Sequence, residues 1–305
     1  MTIAFISHAD CALHETTSYH PDTADRLAAI NDRLLASGLE MIMQQVDAPM
    51  VSREQLERVH DAAYITEIFQ KLQDNDRVWL DADTLMVSAS LIAAQRGAGA
   101  VVKGVDLVMS KQTNSAFCCV RPPGHHAEHN KAMGFCIFNN VAIGVAHAIA
   151  EYGLKRVAIV DFDAHHGNGT EDIFRGNAQV LLCSSFQHPF YPDTGEPGKH
   201  DNIINIGLAA GDGGDVFREQ ISTHWLPALN EFKPELIMIS AGFDGHREDD
   251  MSDLQLVEDD FAWVTSEVKK VADEYASGRI VSVLEGGYVM SSLGRSVAAH
   301  IDALL

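Results

Sequence analysis

Basic side chains are scarce in this chain. Against 43 acidic residues stand 22 lysines and arginines, giving a net charge of −21 at neutral pH over 305 residues. That balance argues against a nucleic acid as a direct partner, because phosphate binding rests on clustered positive charge. It favours cationic ligands, with a generally soluble or salt-tolerant surface as the other use of so much acid. Long apolar runs are missing too. No segment approaches the roughly 18 uninterrupted apolar residues of a membrane span, and no basic-then-apolar leader opens the chain. A cytoplasmic location without a membrane partner is therefore expected. Cysteines number five, an odd count. Cys118, Cys119, Cys136 and Cys183 lie in apolar runs, and no Cys-x-x-Cys pair exists. Reduced core cysteines are expected, neither a disulfide framework nor a metal site. Linkers, internal repeats and long charge blocks are also lacking, so one domain over residues 1–305 is expected.

What is present alternates from end to end. Apolar strand-like runs are interleaved with amphipathic stretches over Pro21 to Ala36, Thr84 to Lys111, Asn139 to Glu151 and Gln255 to Tyr275. Such alternation predicts an α/β fold, a parallel sheet flanked by helices. Chemistry in such sheets gathers at the carboxyl ends of the strands.

Four apolar runs end in reactive side chains. Ile159-Val160 leads into Asp161-Phe162-Asp163-Ala164-His165-His166-Gly167-Asn168-Gly169. Strand alternation would send Asp161, Asp163 and His165 to one side. A buried strand end with this much charge is costly unless a metal or partners compensate it, so a metal site is expected. Ala116 to Val120 precedes Arg121-Pro122-Pro123-Gly124-His125-His126, whose stiffened turn can present two imidazoles to one pocket. Ile237 to Gly242 precedes Phe243-Asp244, and Ile280 to Leu284 precedes Glu285-Gly286-Gly287-Tyr288.

Taken in this order, the four motifs resemble those of the zinc-dependent histone deacetylase and acetylpolyamine amidohydrolase family. The likeness extends over nearly the whole chain. It takes in His8-Ala9-Asp10-Cys11-Ala12-Leu13-His14, His20-Pro21, Gly134-Phe135-Cys136, Asn139-Asn140 and Thr194-Gly195. The resemblance implies the arginase–deacetylase fold with an eight-stranded parallel sheet, and one zinc ion held by Asp163, His165 and Asp244. It implies His126 as the base that activates water and then protonates the leaving amine, and His125, oriented by Asp161, as its electrostatic partner. Tyr288 would donate a hydrogen bond to the scissile carbonyl. Asn168, behind His126, stands where some relatives carry aspartate, which should make His126 less basic.

The same resemblance implies a channel walled by Phe135, with Gly134 before it, and Tyr191. It implies a monovalent cation, K+ or Na+, near Asp161, Asp163, His165 and Ser184. Met251 falls where a eukaryotic polyamine-selective relative has a glutamate and lysine deacetylases have an apolar residue. The expected substrate is a small cationic acetylated amine, with acetylpolyamines (acetylcadaverine, acetylputrescine, acetylspermidine) favoured and acetyl-lysine in proteins as the alternative. Acidic residues expected near the entrance are Glu15, Asp81, Asp83, Glu248, Asp249 and Asp250. A homodimer is implied by likeness to bacterial acetylpolyamine amidohydrolases. Two remote alternatives are a two-metal ureohydrolase, for which the Asp244 region offers too few carboxylates, and a non-catalytic acyl-ligand binder.

Overall fold

The computed structural model describes residues 3–17, 19–71 and 76–305. Its strands are β1 (Ile3–Ser7), β2 (Met43–Asp47), β3 (Arg77–Trp79), β4 (Leu85–Val87), β5 (Ser115–Cys118) and β6 (Val157–Asp161). They continue with β7 (Val180–Gln187), β8 (Gly198–His200), β9 (Ile203–Leu208), β10 (Leu236–Ala241) and β11 (Ile280–Leu284). The helices are α1 (Asp25–Ser37), α2 (Arg53–Glu57), α3 (Ala62–Lys71), α4 (Ser88–Met109) and α5 (Asn140–Tyr152). After these come α6 (Asn168–Phe174), α7 (Gly214–Gln220), α8 (Leu226–Phe232), α9 (Glu258–Tyr275) and α10 (Met290–Leu304).

Among the described residues the main sheet has nine strands in the order β2-β1-β5-β11-β10-β6-β7-β9-β8. Eight run parallel, as expected. The expectation omitted β8, a short strand that pairs antiparallel with β9 and closes that edge. Its sequence, Gly198-Lys199-His200, carries no apolar run to betray a strand. A separate hairpin joins β3 and β4.

Burial on both faces explains the continuous apolar strands. Val281 faces α4, where a side chain on Gly104 would meet its Cγ1 at 2.9 Å. The next residue, Ser282, points the other way and bonds His300 of α10 at 2.9 Å. Alternation along β11 thus places α4 and α10 on opposite faces; α5 packs beside α4, and α1 and α9 beside α10. Three helices, α1, α4 and α9, begin three or four residues later than their patterns predict. Residues 21–24 form a turn before α1, and Leu85–Val87 leaves the expected helix to pair with β3. Helix α1 ends at Gly38, whose φ of 77° suits a left-handed cap.

Strands β5, β11, β10 and β6 are consecutive across the centre of the sheet. They are the four strands whose ends carry the reactive motifs.

Candidate active site

Strand β6 ends at Asp161, earlier than its apolar run suggested, so strand alternation does not orient Asp163 and His165. Side chains do that instead. Asp161 Oδ1 accepts the N–H of Asp163 at 3.1 Å, and Asp163 Oδ1 accepts that of His165 at 2.9 Å. Two successive turns of this kind keep the three side chains in one cluster. Asp244, at the end of β10, meets them by accepting the N–H of Ala164 at 3.0 Å.

Asp163, His165 and Asp244 are all buried and bring one ligand atom each within 4.8 Å of one another. His165 Nδ1 lies 3.1 Å from Asp163 Oδ1 and 3.0 Å from Asp244 Oδ2. Two adjacent buried carboxylates repel unless a cation joins them. The donor set, two oxygens and one nitrogen beside a cavity, fits a zinc ion with a coordination position left open. Glycines make the convergence possible. A Cβ on Gly242 would stand 2.0 Å from Asp163 Oδ2, and one on Gly286 would stand 2.2 Å from Asp244 Oδ2.

The tandem histidines have separate partners. His125 Nδ1 is 3.0 Å from Asp161 Oδ2, and His126 Nδ1 is 2.8 Å from Asn168 Oδ1. Burial disfavours charge on His125, but the carboxylates of Asp163 and Asp161 outweigh it and hold the imidazole up at about 10. His126 moves the other way. Burial, then the neighbouring His125 and His165, push it well below its ordinary value, so it is neutral at pH 7. One imidazolium and one free base therefore stand side by side, with ring centres 4.1 Å apart. Burial drives the Tyr288 phenol well above its usual value, keeping it protonated and able to donate.

A cavity of 330 Å³ opens onto these groups, lined by Gly134, Phe135, Tyr191 and Met251 as well as Phe190, Asp83 and Asp250. The expected wall residues are thus brought together. Phe190 was not foreseen; it stacks on His165 with centroids 5.5 Å apart. Gly134 has a positive φ of 56°, and a Cβ there would lie 2.4 Å from the His126 ring. Only glycine admits that approach. A larger hollow of 640 Å³ beside β8 contains no comparable group of ligands or bases.

Of the six acidic residues expected at the entrance, Asp83 and Asp250 line the cavity. Asp249 is buried, not at the rim: it accepts the N–H groups of Tyr288 at 2.6 Å and Val289 at 3.1 Å. Glu248 is committed to Arg295 at 2.8 Å, and Asp81 accepts the backbone N–H groups of Asp83 and Thr84. Ser184 lies opposite Asp161 in the β6–β7 register, and its buried hydroxyl has no hydrogen-bond partner.

Sequence reasoning also missed supporting residues that arrive from far along the chain. Arg26 of α1 is fully buried, donates to the carbonyls of Glu285 and Gly287, and lies over the Tyr288 ring at 4.7 Å. Asp22 neutralises Arg26 at 2.8 Å and Arg121 at 2.7 Å. Glu285 accepts the N–H groups of Gly124 at 2.6 Å and His125 at 3.1 Å, fixing the histidine turn from below. An arginine on the apolar face of α1 was the available signal for the first of these.

The fold and this constellation together define an amidohydrolase class. Within that class the chain belongs to the histone deacetylase family, whose domain model matches residues 20–304. It is 37% identical over 275 residues to the histone deacetylase-like amidohydrolase of Pseudomonas aeruginosa, covering 88% of this chain and 71% of that one. To the polyamine deacetylase HDAC10 of Mus musculus it is 34% identical over 331 residues; all of this chain is covered, but it spans only 48% of the mouse protein. A crystal structure of the HDA15 HD domain superposes with a TM-score of 0.93 at 30% identity, covering 99% of this chain and 89% of that one. The chain is a family deacetylase, and the family is generally zinc-dependent.

Proposed function

We propose that this chain removes the acetyl group from N-acetylated aliphatic amines bearing a second, cationic nitrogen, acetylpolyamines being the favoured substrates. The observation that carries this reading is the pairing of Asp83 and Asp250 in the lining of the reactive cavity, which includes no lysine or arginine. An acetamide on a methylene chain suits the aromatic walls, and two carboxylates suit a distal ammonium. Met251 favours a second reading. An apolar side chain in that lining suits the neutral backbone of a peptide, so acetyl-lysine in proteins is the alternative substrate.

Asp163, His165 and Asp244 would hold zinc, which when bound polarises the acetyl carbonyl and lowers the pKa of water beside it. His126 accepts the proton of the attacking water at Nε2 and later delivers it to the leaving nitrogen. His125, kept positive by Asp163 and Asp161, stabilises negative charge as it develops. The Tyr288 hydroxyl donates to the carbonyl oxygen as it becomes an oxyanion. Phe135 and Tyr191 exclude water from the chain of the substrate. Ser184 Oγ, buried and unpaired, is the side chain available to a K+ or Na+ ion behind the site. The family resemblance supports a homodimer.

Steady-state rates on acetylcadaverine, acetylputrescine and acetylspermidine, set against an acetyl-lysine peptide, test the reading. We expect a kcat/KM at least tenfold higher for the free amines, the equivalent of about 1.4 kcal/mol in transition-state binding. Asp83→Asn combined with Asp250→Asn should abolish most of that preference. A peptide preference in the unaltered enzyme would establish the acetyl-lysine alternative.

A further inference from the structure

Behind His126, beyond the Asn168 carboxamide, the structure holds a carboxylate that no role above uses. Asn168, at the start of α6, presents Oδ1 to His126 Nδ1 at 2.8 Å. A carboxamide has two unlike ends, and a neutral imidazole has two tautomers. With the amide oxygen toward the ring, Nδ1 carries the hydrogen and Nε2 keeps its lone pair. With the NH2 group toward the ring the tautomer reverses, and Nε2 can no longer accept a proton. An aspartate would not face this choice, since both its oxygens accept.

The other end of the amide settles the matter. Asn168 Nδ2 lies 2.8 Å from Glu128 Oε1, 3.2 Å from Met133 Sδ and 3.5 Å from the carbonyl oxygen of His126. All three are acceptors, and one is a carboxylate. A flipped amide would point its oxygen at that negative charge. We propose that Glu128 is a positioning residue for the deacetylation: it locks the Asn168 carboxamide, and thereby fixes His126 in the tautomer whose Nε2 is free to act as the base. The kinetic part of the inference rests on the function proposed above; the tautomer does not.

Glu128 is only partly buried, and its backbone bond to Lys131 does not involve the side chain, so its variants should fold. Glu128→Lys places a donor where the acceptor was and draws the amide oxygen away from His126. We expect kcat to fall on the order of 10- to 100-fold, the scale of one charge-assisted hydrogen bond, with KM and zinc content unchanged. A histidine held in the wrong tautomer by a misdirected carboxamide can lose up to ~10⁴ in kcat, which bounds the effect. Glu128→Gln, whose amide oxygen can take the same bond, should recover most of the rate lost in Glu128→Lys. Asn168→Asp added to Glu128→Lys should also restore kcat, because a carboxylate presents oxygen at both ends. Long-range 1H–15N correlation spectra of the imidazole nitrogens give the direct readout. The proposal expects Nδ1–H on His126 in the unaltered protein and Nε2–H in Glu128→Lys. An unchanged tautomer in Glu128→Lys overturns it, whether or not the rate falls. If the tautomer switches as expected but the unaltered enzyme deacetylates no acetylated amine, the positioning stands and the proposed function falls.

Discussion

Asp163 is tied on both oxygens. Oδ1 accepts the backbone N–H of His165, and Oδ2 accepts that of Gly286 at 2.8 Å, linking the β6 end to the β11 end. Burial would raise this carboxyl, but His125 and His165 outweigh it and keep it ionised. Asp163→Asn would preserve the shape while removing the charge and placing an NH2 group among these donors. We expect it to lower zinc content at least tenfold, measured by atomic emission on dialysed protein, and to lower the rate in proportion. Tyr288→Phe separates chemistry from metal binding. It should retain full zinc while kcat falls about 10²- to 10³-fold, the cost of one oxyanion donor. Full activity in that variant would displace Tyr288 from its role. The Asp163–His165 pair was legible as a metal site because the two lie two residues apart beyond an apolar run, whereas Asp244 joined it only through the family resemblance. Arg26 was not legible, since the carbonyl of Gly287 it clamps lies 261 residues away. Glu128 was equally hidden, its relation to Asn168 being visible only once two loops meet.

At the scale of elements, close packing against a helix depends on small residues that periodicity does not reveal. Helix α4 was legible as a long amphipathic stretch, but the need for glycine within it was not. A Cβ at Gly99 would stand 1.9 Å from the carbonyl oxygen of Pro49 and 2.8 Å from its carbonyl carbon. Alanine favours a helix by about 1 kcal/mol over glycine. The clash is with backbone, which cannot rotate away, so steric cost wins. Gly99→Ala should destabilise by ~1–3 kcal/mol, the usual range for overpacking, and lower the thermal midpoint by several degrees. A raised midpoint would show that the 48–51 segment gives way freely. The short edge strand β8 escaped the sequence for a related reason. Its exposed Gly198 and Lys199 are held by pairing with β9, not by an apolar face.

For the whole molecule, pH sets opposing effects against each other. Acidification from pH 7 toward the isoelectric point near 4.9 relieves the repulsion of a net charge of −21, a stabilising change that salt screens. Buried histidines act in the opposite direction. Burial lowers His14 to about 4, His60 to about 4 and His300 to about 3. His300 bridges Thr265 at 2.6 Å and Ser282 at 2.9 Å, joining α9, α10 and β11. The Thr265 hydroxyl donates to the carbonyl of Phe261, so it accepts from His300, whose remaining nitrogen accepts from Ser282. That arrangement requires a neutral ring. Below about pH 6.5 the unfolded chain takes up protons that the folded chain refuses, so stability falls with falling pH down to the folded values and is level above. Each such histidine costs ~2–3 kcal/mol by pH 4.5, while burial raises Glu285 to about 7 and Asp249 to about 6, and these two carboxyls return stability as they take up protons. The histidine part of this balance is read by difference: in 0.5 M salt the urea midpoint of the unaltered protein should fall more steeply from pH 7 to pH 5 than that of His300→Asn. His300→Asn should flatten the slope by about one proton while leaving the salt response alone. Equal pH slopes for the two proteins in high salt would mean that His300 finds a proton without unfolding.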